Sequence, residues 1–109
     1  MAYTAIFTVD VPEREKLDAE SGWLLLEFGT DWCGHCRAAQ PAIAEALAAF
    51  PQIRHLKIED GPGRRLGRSY RVKLWPTLIL LRDGVEQVRA VRPLQASDLL
   101  AYWRPLLAD

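Results

Sequence analysis

Cys33 and Cys36 are the only cysteines in this 109-residue chain, and they stand two residues apart. A loop that short constrains the unfolded chain very little, so a stabilising disulfide is a poor reason for the pair. Two cysteines alone cannot enclose a structural zinc, which takes four ligands. Thiol–disulfide exchange is the chemistry that remains, since a thiolate attacks a disulfide and a second thiol resolves the mixed product. Cys33 falls where the apolar run Trp23–Phe28 has ended and an alanine-rich helical pattern begins. Unpaired N–H groups and the helix dipole at such a junction favour an anion. His35, when protonated, pushes the same way. These features assign Cys33 as the attacking thiol and Cys36, one turn deeper, as the resolving thiol. The alternative is a pair of inert core cysteines.

The surrounding pattern supplies the elements that must hold this pair. Tyr3 to Thr8 alternates weakly and reads as a first strand, and Asp10 is placed to cap a helix entered through Pro12 and closed by Ser21-Gly22. Trp23 to Phe28 reads as a central strand buried on both faces, interrupted by the acid Glu27. Cys33 to Phe50 is a long helix with Pro41 inside it, where a kink is expected. Ile53 to Ile58 is a strand, and a glycine-rich loop then leads into a short helix ending near Tyr70. Thr77 to Leu81 and Val85 to Val91 flank the turn Arg82-Asp83-Gly84 as a hairpin, and Ser97 to Leu107 is a final helix. The expected architecture is α/β: a central mixed sheet of about five strands flanked by about four helices, in one domain over residues 1–109.

Leu26-Glu27-Phe28-Gly29-Thr30-Asp31-Trp32-Cys33-Gly34-His35-Cys36 resembles the active-site strand and turn of the thioredoxin family, with the Gly-His dipeptide of the protein disulfide isomerase type. Trp75-Pro76-Thr77, followed by a β-run and Asp83-Gly84, resembles the family's cis-proline strand and hairpin. The resemblance covers essentially the whole chain in order. It implies the thioredoxin fold, a redox-active Cys33/Cys36 couple with no other cofactor, and disulfide-containing protein substrates. It also implies electrons from a thioredoxin reductase. Glu27 takes the place of the buried acid and general base for Cys36, costly to ionise in an apolar strand. The alternative is a strand-end glutamate facing solvent. Trp32, Gly34, Trp75 and Pro76 fall on the substrate groove, where the Trp75 backbone would pair with an extended segment. Trp75 would either narrow that groove or pack against Trp32. His35 in place of proline implies a less reducing couple, on a scale where family members span about 90 mV.

His55 is read as a solvated strand histidine, with a pairing to Glu27 as the alternative. Arg64, Arg65, Arg68, Arg71 and Lys73 are read as a solvated helix face, with a surface that holds an acidic partner or steers substrates as the alternative. Three departures stand out: Gly29 where an aromatic is usual, Thr30 where alanine is usual, and Arg92-Pro93 where a glycine commonly follows the last strand. Half of the residues are apolar, and 14 basic residues balance 14 acidic ones. No global field then argues for nucleic acid or an anionic membrane as partner. No run approaches the roughly 18 to 20 apolar residues of a membrane span. Met1 to Val11 lacks the features of an export signal, giving an expectation of a cytoplasmic monomer. Two other readings stand beside the enzyme: a thioredoxin-like chaperone or assembly module with little redox turnover, and metal capture by pooled cysteine pairs in a dimer.

Overall fold

Strand β1 (Trp23–Gly29) forms the axis of the sheet, parallel to β2 (Arg54–Glu59) on one side and antiparallel to β3 (Thr77–Arg82) on the other. The computed structural model describes residues 3–108; Met1, Ala2 and Asp109 lie outside the described residues. Strand β4 (Val85–Val91) completes the order β2-β1-β3-β4 as the hairpin partner of β3. The hairpin turns at Asp83-Gly84, both at positive φ. Buried on both faces, β1 needs the near-continuous apolar run that its sequence provides.

The period of two in β1 divides the core. Leu24, Leu26 and Phe28 join Leu17, Leu66 and Tyr70 beneath α1 (Arg14–Asp18) and α3 (Arg65–Ser69). Leu25 faces the other side, with Ile43 and Leu47 of α2 (Gly34–Ala49) and Leu99 and Trp103 of α4 (Ser97–Leu107). Glu27 and Gly29 share that second face, under the first turns of α2. The helix runs on through Pro41, and its buried positions 36, 39, 42, 43, 46 and 47 follow the helical period.

Two expectations at the N-terminal end are corrected. Among the described residues the sheet has four strands, and of Tyr3 to Thr8 only Thr8 makes a bridge, parallel to Ile58. Upstream backbone groups turn to side chains instead of a ladder. The Thr4 N–H donates to His55 Nδ1 at 2.8 Å, and the Ala5 carbonyl accepts from Lys57 Nζ at 3.0 Å. Asp10 caps nothing; its N–H donates to Thr8 Oγ1, and the five-residue α1 begins after Glu13.

Candidate active site

Cys33 is the N-cap residue of α2, with extended φ and ψ of −79° and 121°. Its Sγ accepts the N–H of Cys36 at 3.3 Å, the service that serine or threonine oxygen gives at other helix starts. The sulfur therefore lies where the dipole favours negative charge. Cys33 is 9% exposed and Cys36 1%, so one sulfur borders the surface and the other lies behind it. Both are free thiols. Burial pushes the Cys36 thiol up to about 12. The hydrogen bond with Cys33 adds to this, the Thr30 backbone amide opposes it, and the Cys33 and Glu27 charges raise it further.

Behind Cys36 lies an island of polar side chains on the α2 face of the sheet. Glu27 is fully buried, which removes the solvent-facing alternative. It is not isolated, however. Its Oε1 accepts from His55 Nε2 and its Oε2 from Gln40 Nε2, both at 2.8 Å. The Thr4 N–H occupies His55 Nδ1, so a neutral imidazole carries its proton on Nε2 and donates it to Glu27. His55 is thus no solvated strand residue, correcting that expectation; its side chain is fully buried. Gln40 also donates to the Cys36 carbonyl at 2.7 Å, and its Oε1 accepts from Lys57 Nζ at 3.0 Å and from the Tyr3 hydroxyl at 2.7 Å. Burial lowers the Lys57 ammonium, while the Glu27 charge raises it. Gln40 and Lys57 escaped the reading of the sequence. The register pairs Glu27 with Lys57 across β1 and β2, so a period of two through positions 55 and 57 was the available signal.

Gly29 has a local reason. A Cβ there would lie 2.5 Å from Cys36 Sγ and 3.2 Å from the Phe7 ring, so Phe7 already fills the space beside it. The Lys57 ammonium sits over that same ring, 4.3 Å from its centroid. Thr30 is buried, and its hydroxyl has no partner among the described residues. It lines a cavity of about 110 Å³ with Cys36, Gln40 and Lys57.

At the mouth, Trp32 is exposed and Trp75 meets it edge-on, with ring centroids 5.7 Å apart. Packing against Trp32 is therefore the alternative that Trp75 takes. Its Nε1 donates to Asp60 Oδ2 at 2.9 Å, an anchor without a signal in the sequence pattern. The Trp75–Pro76 peptide is cis. The Trp75 carbonyl, part of the backbone expected to pair with an extended segment, already accepts from Arg92 Nε at 2.8 Å. Gly34 and His35 are exposed on the first turn of α2. Of the arginine group, Arg64 pairs with Glu59, while Arg65, Arg68, Arg71 and Lys73 are exposed. Among the described residues, no group of three or more histidine, cysteine or acidic side chains is placed to hold a metal. Nor is any helix long and apolar enough to cross a membrane.

The thioredoxin family model matches residues 7–104. The chain belongs to the thioredoxin family. It is similar to a solved structure, thioredoxin 2 from Pseudomonas aeruginosa PAO1 in its reduced form, with 54% identity, a TM-score of 0.85, and coverage of 95% of this chain and 96% of that one. A thioredoxin of Chlamydia pneumoniae is 37% identical over 85 residues, 76% of this chain and 83% of the relative. Thioredoxin-2 of Pyricularia oryzae is 34% identical, and there the match spans half the relative's length. The four-strand mixed sheet with four helices is the thioredoxin fold, and the cysteine pair has thioredoxin spacing. A family member with that pair is a thiol–disulfide oxidoreductase.

Proposed function

We propose that this thioredoxin reduces disulfides in protein substrates, with Cys33 attacking and Cys36 resolving. The carrying observation is the asymmetry of the two sulfurs: Cys33 borders the surface as a helix cap, and Cys36 is buried with its thiol pushed up to about 12. Cys33 thiolate attacks one sulfur of the substrate disulfide and forms a mixed disulfide, while the other substrate sulfur leaves as a thiolate and takes a proton. Cys36 then gives its proton to the Glu27 carboxylate and attacks Cys33 Sγ. The Cys33–Cys36 bond forms, the second substrate sulfur leaves, and two electrons have passed to the substrate. Separating the two sulfurs this way keeps Cys36 protonated until the mixed disulfide exists, so the first attack comes from one sulfur alone.

A reductase of the flavin-dependent thioredoxin type returns the two electrons in this reading, and the redox couple needs no other cofactor. His35 stabilises the reduced couple, and Trp32, Gly34, Trp75 and Pro76 form the surface on which the substrate lies. The protein acts as a cytoplasmic monomer in thiol redox homeostasis, as a single domain over residues 1–109, without nucleic acid or membrane as partner. Turnover of insulin disulfides with NADPH and a thioredoxin reductase checks the activity. Cys36→Ser is expected to accumulate a covalent adduct with substrate at Cys33, visible by mass, and Cys33→Ser to give none. Absent turnover, with no adduct, would leave the binding-module alternative in its place.

A further inference from the structure

Beyond β4 the chain brings a guanidinium to the cysteine end of the molecule. Arg92 has φ of 55°, a left-handed conformation that glycine adopts freely and other residues adopt at a cost. Its N–H donates to the Pro76 carbonyl at 3.0 Å and its Nε to the Trp75 carbonyl at 2.8 Å. One residue thus grips both members of the cis Trp75–Pro76 unit. Trp75 packs on Trp32, and Trp32 directly precedes Cys33. The segments that meet here also expose Leu74, Val91 and Leu94.

We propose that Arg92 determines substrate choice by receiving a carboxylate of an acidic residue close to the reactive cysteine of an extended, otherwise apolar segment. This inference rests on the disulfide reduction proposed above. Glycine at position 92 would meet the backbone requirement with less strain, so what the side chain adds is charge and a fork of donors. The carbonyl contact orients the guanidinium through Nε, and neither Nη has a partner among the described residues. A guanidinium with its Nη groups unengaged matches a carboxylate in geometry and sign. The Trp75 carbonyl already carries one donor, so a docking strand finds less backbone to bond there. Side-chain recognition by Arg92 takes over part of that task. Asp60 is engaged by the Trp75 indole, and no ion pair joins it to Arg92 among the described residues.

The test compares two disulfide-linked peptides that differ only in Glu or Lys beside the cysteine, reduced by the full-length protein. At low salt the wild type is expected to favour the Glu peptide roughly fivefold in kcat/KM, through KM, the upper range for an exposed ion pair, and to lose this preference as salt rises. In Arg92→Gly, which suits the backbone at that φ, the ratio falls to near one, and Arg92→Lys keeps part of it. A wild-type ratio of one, or the same preference in Arg92→Gly, would overturn the role of Arg92. Failure to turn over either peptide would overturn the reductase reading itself, which separates the two failures.

Discussion

A buried carboxylate with a donor on each oxygen is well placed to hold a charge, and Glu27 has His55 and Gln40 in those positions. That charge is felt at Cys36, whose proton, in the mechanism proposed above, leaves before the second exchange step. Glu27→Gln keeps the volume and removes the base, and it sets an amide donor against one of the two existing donors while its oxygen still accepts from the other. The expected outcome is a first attack by Cys33 within about twofold of wild type and release of the mixed disulfide slower by about a hundredfold, the usual range for losing a general base. Acid-quenched single-turnover reactions followed by mass spectrometry resolve the two steps. Equal slowing of both would remove Glu27 from proton transfer.

At the scale of an element, β1 and the start of α2 must approach closely enough for Cys36 to touch the strand beneath it. Gly29 makes that approach possible, since any Cβ would press on Cys36 Sγ and on Phe7. Gly34, on the exposed first turn, would place a Cβ within 4 Å of nothing. Gly29→Ala is expected to destabilise the fold by about 1–3 kcal/mol through overpacking. Gly34→Ala is expected to be neutral or to stabilise by up to about 1 kcal/mol through helix propensity. Urea denaturation of both variants checks the contrast; a Gly29→Ala variant as stable as wild type would show that β1 and α2 can separate without cost. The same close approach explains why an aromatic is absent at position 29. Phe7, from the segment running beside β2, supplies a ring there instead.

For the whole molecule, the buried thiol links stability to pH. The Cys36 thiol rises from an ordinary 9.0 to about 12 in the folded protein, so the folded state holds this proton more tightly than the unfolded one. Its contribution is complete below the unfolded value and is lost as pH climbs from about 9 toward about 12. Tyr3 and Tyr70, raised by burial, act in the same direction, whereas Lys57, lowered by burial, acts in the opposite one. The Cys36 part is isolated by difference. In reducing buffer the urea midpoint of wild type should fall more steeply from about pH 8 to about pH 10 than that of Cys36→Ala. Parallel profiles would mean that the thiol titrates alike in both states.

Consecutive residues carried the chemistry and most of the elements. The cysteine spacing, the apolar run before it, the hairpin turn and the period of α2 are local signals, and each element they imply is present within a residue or two. Where backbone groups bonded to distant side chains, local pattern failed, as at Thr4 and Ala5, whose partners lie on β2. His55 looked like a surface histidine because nothing adjacent to it explains burial. Only the pairing of β1 with β2, and the docking of α2 above them, brings Glu27, His55, Gln40 and Lys57 into one network. The same holds for Arg92, whose partners are carbonyls of residues 75 and 76. By itself the sequence determined which sulfurs form the pair and which strand and helix hold them, because those follow from neighbours along the chain. Tertiary structure decided what surrounds the sulfurs, because the choice of partner for a buried polar group is made by register and packing across the whole sheet.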